Sequence, residues 1–168
     1  MSYDPSIEFQ VLRLKEAVFV IAVLLYAAPT HAADITGKPR VIDGDTIEVA
    51  GERIRLHGID APEAKQTCEW PSKTIQCGRL ATLALMDLTA GAVVTCKTRE
   101  KDRYGRWVAL CYDPDSFDIG RNMVLTGWAL AYRQYSTDYV GTEEKAREAK
   151  RGMWKGKFVP PWEWRRGK

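Results

Sequence analysis

Residues 41–63 read Val-Ile-Asp-Gly-Asp-Thr-Ile-Glu-Val-Ala-Gly-Glu-Arg-Ile-Arg-Leu-His-Gly-Ile-Asp-Ala-Pro-Glu. Two short runs rich in β-branched and aliphatic residues, 46–49 and 53–56, flank Ala50-Gly51-Glu52, and this pattern predicts an antiparallel hairpin. Acids stand at its outer ends, Asp43 and Asp45 before the first strand and Asp60 and Glu63 after the second. A hairpin folds those ends together, so carboxylates far apart in sequence can share one site with Arg55 on the returning strand. Hard oxygen donors beside a guanidinium suit a divalent cation and a phosphate.

Working outward, Val41-Ile42 precedes this hairpin as a further strand after a polar approach at 34–40, and Gly44, Gly51 and Gly58 mark turns or bulges. Leu80, Leu83, Ala84, Met86 and Leu88 recur at helical spacing and predict a helix from Gly78 that ends before Gly91. Strands are predicted over 93–98 and 107–112, then a helix over 119–131 and a charged helix over 142–153 with Thr142 as N-cap and Gly152 as terminator. Short strands separated in this way favour a small barrel over parallel βαβ units.

Between the second pair of strands lies Asp102-Arg103-Tyr104-Gly105-Arg106. Together with Ile42-Asp43-Gly44-Asp45-Thr46 and with Arg55-Leu56 followed by Ile59-Asp60-Ala61-Pro62-Glu63, it resembles the thermonuclease (staphylococcal nuclease-like) family over roughly residues 36–154. The resemblance implies an α+β fold: a small five-stranded OB-fold-type β-barrel with three packed α-helices. It implies Ca2+ held by Asp45, Asp60 and the backbone carbonyl of Ala61, with Asp43 and Thr46 supporting from behind. It makes Glu63 the general base and Arg55 and Arg106 the phosphate-binding arginines. Arg103 and Tyr104 match the pair that holds a terminal phosphate and flanks the nucleotide. Tyr135 and Tyr132 follow the second helix, where a tyrosine could stack on a base; packing is the ordinary reading of Tyr132. Each of these residues alone reads as a turn acid, a solvated cation or a packed ring, and only their company assigns chemistry. His57 has no required catalytic role.

The chain ends carry different information. Residues 1–33 contain an apolar run at 17–28, after Lys15, and Thr30-His31-Ala32 as a small-x-small cleavage site, so they read as a signal peptide; an uncleaved anchor is the alternative. Residues 34–154 form the thermonuclease-like domain on this reading, and 155–168 a basic, aromatic extension. The formal charge of the chain is +3, too small to identify a nucleic-acid partner by itself, and it becomes +4 when the two bases and three acids of 1–33 are removed. In the extension, five bases face one acid, and Phe158, Trp162 and Trp164 either pack on the domain or stack on nucleic-acid bases.

The four cysteines, Cys68, Cys77, Cys96 and Cys111, are even in number and suit an oxidising compartment. They allow three pairings. Cys96 and Cys111 lie symmetrically about Arg103/Tyr104, the midpoint of a predicted hairpin, while Cys68 to Cys77 would staple a short excursion. Neither spacing resembles a zinc knuckle.

The leading expectation is an exported, monomeric, calcium-dependent nuclease acting on DNA and RNA, preferably single-stranded or locally open, and leaving 3′-phosphates. The alternatives are a nucleic-acid-binding module without catalysis and an envelope or exopolysaccharide-associated accessory protein.

Overall fold

A computed structural model describes residues 34–167. The signal-peptide reading of 1–33, His31 included, lies outside the described residues. The predicted hairpin forms from β3 (Thr46–Val49) and β4 (Glu52–Leu56), with Ile47 opposite Ile54 and Thr46 opposite Arg55. Ala50 and Gly51 make the turn with φ of 52° and 82°, a two-residue connection whose twist matches that of the strands. Ile47, Val49, Ile54 and Leu56 point inward and are buried.

β3 and β4 sit within a six-stranded mixed sheet, in the order β1 (Ile35–Gly37), β8 (Val94–Lys101), β9 (Trp107–Tyr112), β4, β3, β2 (Arg40–Val41). β9 runs parallel to β4, placing Trp107 opposite Ile54, and antiparallel to β8. Two further two-stranded sheets pair β5 (Ile59–Asp60) with β10 (Leu130–Ala131) and β6 (Cys68–Trp70) with β7 (Lys73–Ile75).

The architecture corrects the expected five-stranded barrel with three helices. The large sheet is open, with β1 and β2 as its unpaired edges. Only Lys38 and Pro39 separate these two edge strands in sequence, so the sheet must curl to bring them near one another. No ladder joins them: β2 has only two residues, and Pro39 lacks an N–H to donate. The sixth strand is β1, which lies in what the sequence presented as a polar approach.

Among the described residues there are four α-helices: α1 (Cys77–Leu88), α2 (Ile119–Leu125), α3 (Val140–Glu148) and α4 (Pro161–Trp164). α2 is shorter than predicted because Gly127 turns the chain at φ 77° and residues 130–131 pair with β5. α3 starts at Val140, with Tyr139 rather than Thr142 at its N-cap position, and is over by Glu148, before Gly152; Gly152–Lys155 forms a 3-10 turn. The fourth helix lies in the C-terminal extension, where two prolines set its first turn.

Two apolar clusters organise the interior. The larger joins the inward faces of the sheet to α1, α2 and Tyr139. The smaller holds Cys68, Ile75, Cys77, Leu130 and Met153, covered by Trp70, Trp154, Phe158 and Trp162. Phe158 and Trp162 of the extension therefore pack on the domain. Both disulfides form, Cys68–Cys77 and Cys96–Cys111, the second joining directly opposed residues of β8 and β9.

Candidate active site

Four pieces of backbone deliver the site. Turn 43–45 presses against the segment after β5: a Cβ on Gly44 would lie 2.7 Å from Ala61 Cβ. The Asp43 carboxylate accepts from the Asp45 N–H at 3.1 Å and so caps this turn. Asp45 Oδ2 accepts from the Ala61 N–H at 2.8 Å, fastening the two acid-bearing segments together. The loop carrying Glu63 is pressed on the start of α1, where a Cβ on Gly78 would come within 1.8 Å of the Glu63 carbonyl oxygen.

Arg55 lies at the centre. Its Nη2 donates to Asp60 Oδ1 at 2.8 Å and to the Ile59 carbonyl at 3.2 Å, while Nη1 forms an ion pair with Asp45 Oδ2. The Nη1 group is buried against the Asp45 carboxylate. Burial lowers the pKa of this guanidinium; Asp60 opposes that shift, while Arg106 and Arg165 add to it. The Asp60 side chain has no exposed surface and Asp45 is nearly as buried, so the arginine compensates carboxylates that would be costly alone.

Arg106 arrives from the β8–β9 turn. Asp102 Oδ1 accepts from the N–H groups of Tyr104 and Arg106 at 2.9 and 3.0 Å, and Asp102 Oδ2 accepts from Arg106 Nε at 2.8 Å. Burial raises the Asp102 pKa, but the hydrogen bonds from Arg106 and the turn outweigh it and leave it below the usual carboxylate value. Arg106 Nη1 reaches Thr46 Oγ1 at 3.5 Å, and that hydroxyl donates to Asp45 Oδ1 at 3.1 Å. Thr46 thereby links the second arginine to the acids.

Tyr104 is 68% exposed, with the guanidiniums of Arg103 and Arg106 at 4.9 and 5.3 Å from its ring centre. Tyr135 is 65% exposed and borders Tyr132, their centroids 4.9 Å apart. Tyr132 stacks on Trp162 at 5.6 Å, with ring planes 6° apart, so its packing reading holds. His57 is buried away from this chemistry, its Nε2 3.9 Å from Asp138.

Two contributors were not singled out in the sequence. Arg165, just past α4, donates through Nη1 to Asp60 Oδ1 at 3.1 Å and Glu63 Oε1 at 2.7 Å, and through Nη2 to Asp60 Oδ2 at 2.8 Å. Burial works against its charge, but the bonds to Asp60 and Glu63 prevail and raise its pKa. Gln66, fully buried, accepts from the Glu63 N–H at 3.2 Å and donates to the Val159 carbonyl at 2.6 Å, tying the Glu63 loop to the extension. A glutamine three residues after an acid carries no sequence signal, and Arg165 was one of five tail bases.

The donor set of Asp45, Asp60 and Glu63 is all carboxylate oxygen, the chemistry a hard cation takes. Among the described residues, however, no three His, Cys, Asp or Glu side chains form a group that could hold a metal ion as they stand. The buried acids are answered by Arg55 and Arg165 instead.

Residues 53–156 match the family model described as staphylococcal nuclease homologue. The chain belongs to this family. Over 156 residues it is 41% identical to an uncharacterized endonuclease of Escherichia coli O157:H7, covering 88% of this chain and 96% of that protein. A micrococcal nuclease of Shigella flexneri is 36% identical over 168 residues, 89% of this chain and 91% of the relative. The succinoglycan biosynthesis protein ExoI of Rhizobium meliloti is 36% identical over 143 residues, 81% and 73% of the two chains. The family match takes in Arg55, Asp60, Glu63 and Arg106; it ends before Trp162 and Arg165.

Proposed function

We propose that this staphylococcal nuclease homologue is a calcium-dependent nuclease that hydrolyses phosphodiester bonds of DNA and RNA and leaves 3′-phosphate ends. The observation that carries the reading is the convergence, from two separate hairpins, of Arg55 and Arg106 on one group of acids. Relatives named endonuclease and micrococcal nuclease support the same activity.

Asp45 and Asp60, with the Ala61 carbonyl, are the residues to hold calcium, which when bound supplies positive charge beside the phosphoryl oxygen and helps place water. Glu63 takes a proton from that water as its oxygen bonds to phosphorus. The bond from phosphorus to the 5′-oxygen breaks, the departing oxygen gains a proton from solvent, and the phosphate stays on the 3′ side. Arg55 and Arg106 donate to the equatorial oxygens, more strongly as their charge grows. Arg103 and Tyr104 are assigned to a terminal phosphate and Tyr135 to an unstacked base, roles that suit single-stranded or locally open substrates. Backbone contacts carry little sequence information, in keeping with broad specificity. Asp43 and Thr46 position the acids and the second arginine. A monomer is the proposed working unit.

Two disulfides support export to an oxidising compartment, periplasmic or extracellular. Among the described residues no helix is long and apolar enough to cross a membrane.

The test is cleavage of end-labelled single-stranded DNA and RNA with calcium or with a chelator, with analysis of product ends. The expected result is calcium-dependent cleavage of both, lowered about 10²–10⁴-fold in Glu63→Gln while the fold is kept. Folded, calcium-loaded protein that cleaves neither substrate, or a Glu63→Gln variant with native turnover, would overturn the reading.

A further inference from the structure

The extension reaches the acids of the site. Its path is fixed at several points before Arg165: Lys157 exchanges two backbone hydrogen bonds with Glu69, each 2.8 Å, Gln66 holds the Val159 carbonyl, and Trp162 stacks on Tyr132. Arg165 follows one residue after α4, and its N–H donates to the Pro161 carbonyl at 3.1 Å. The backbone is thus anchored, while the arginine side chain remains 39% exposed.

What Arg165 occupies is specific. A carboxylate offers about four lone-pair positions. On Asp60, three are taken by guanidinium donors, one from Arg55 and two from Arg165, and Arg165 also holds Glu63. Calcium needs several oxygens at close range. It cannot take Asp60 oxygens already shared among donors of like charge without displacing some of them. Arg55 lies deep in the site and compensates two buried acids, whereas Arg165 can leave by side-chain rotation into solvent.

We propose that Arg165 is an intramolecular competitor of calcium: the C-terminal segment seats this guanidinium on Asp60 and Glu63, and cation binding requires its release. The inference rests on the reading of Asp60 as a cation ligand and Glu63 as the base. It gives the extension a function beyond packing: the resting site is held closed and compensated, and becomes competent only as the cation concentration rises. The base is freed in the same step, because the one guanidinium holds both carboxylates.

The experiment is calcium titration by calorimetry at low ionic strength on the native chain, Arg165→Gln, Arg165→Lys, a chain lacking residues 165–168, and Asp60→Asn, with thermal melting of each in chelator and in calcium. Arg165→Gln and the shortened chain are expected to bind calcium about tenfold more tightly than the native chain. Arg165→Lys, which keeps the charge but loses the fork, should fall between. Melting in chelator should drop in Arg165→Gln, where a buried acid has lost a partner, and calcium should raise its melting temperature by more than in the native chain. Native-like affinity in both Arg165→Gln and the shortened chain, with binding lost in Asp60→Asn, overturns the competition and leaves the cation site intact. Weaker binding without Arg165 also overturns it, making the arginine a support for the cation. No calcium binding by native, Arg165→Gln or shortened protein overturns both this inference and the reading beneath it. If Arg165→Gln misfolds, the shortened chain, which keeps Trp162 and all the anchors before it, decides between these outcomes.

Discussion

Residues 43–63 and residues 157–165 each bring an arginine to Asp60, yet they do so by different physics. In the first region, a tight turn and a four-pair register place Arg55 opposite Thr46 and beside Asp45. Local pattern therefore determines proximity. In the second, Arg165 meets Asp60 across 105 residues because aromatic packing and two backbone bonds to Glu69 steer the extension there. The first region compensates buried charge permanently; the second does so with an arginine that solvent can take back. A site built from both can be complete in composition and still be held at rest.

The largest effect that would break this contrast is at Arg55. Arg55→Lys keeps a positive charge but loses the fork that spans Asp45 and Asp60. Activity should fall by roughly 10²–10³-fold, as for loss of a donor to developing charge. Stability should fall by about 3 kcal/mol, since a buried acid loses its partner. Steady-state kinetics and urea unfolding check this, and native kinetics with native stability would show that Arg55 is not the permanent partner assigned to it.

Truncation after Met153 tests the other region. It removes Trp154, Phe158 and Trp162 from the smaller apolar cluster, and the expected loss is roughly 3–5 kcal/mol, the scale for deleting large buried aromatics. If the shortened chain melts like the native one, the extension is a detachable plug and not part of the fold.

A smaller effect sharpens how Arg106 is delivered. Asp102→Asn removes the carboxylate that holds both the turn and the Arg106 guanidinium. Arg106 would lose its aim without losing its charge, so kcat should fall about tenfold, comparable to the loss of one charge-assisted hydrogen bond, with a lesser change in KM. An unchanged kcat would make the β8–β9 turn self-sufficient.

The contrast also explains what the sequence could reveal. The nearness of Arg55 to the acids and the Cys96–Cys111 pair were legible because hairpin register converts spacing into contact, whereas Arg106 was singled out by the family resemblance. Eight of the strands and helices, β2, β3, β4, α1, β8, β9, α2 and α3, were anticipated near their observed places from local pattern. What failed was whatever depended on pairing at a distance. The openness of the sheet turns on whether β1 and β2 bond to one another, and no residue pattern states that. β5 and β10 are two residues each, too short for periodicity, yet they set Asp60 at the floor of the site. Trp162 was readable as apolar and Arg165 as basic, but their partners, Tyr132 and Asp60, are chosen by the path of the extension.

His57 gives the smallest effect and a control that belongs to neither region. Its ring is buried, and its Nε2 has no hydrogen-bond partner, with Asp138 3.9 Å away. Burial lowers its pKa, Arg99 lowers it further, and Asp138, Glu100 and Asp118 oppose the shift without reversing it. The native state therefore binds this proton less readily than the unfolded chain. The neutral ring's contribution is fully present above the unfolded histidine value, about 6.5, and is lost as pH falls from there through the lower folded value. Melting temperature should accordingly fall more steeply between pH 7.5 and 5 in the native chain than in His57→Gln, on the order of the pH range over which a histidine titrates. The calcium affinity of the two proteins should stay equal at pH 7.5, because His57 touches none of the acids assigned to the cation. Parallel melting curves in acid would mean that the ring gains its proton without cost, and that Asp138 moves in to receive it.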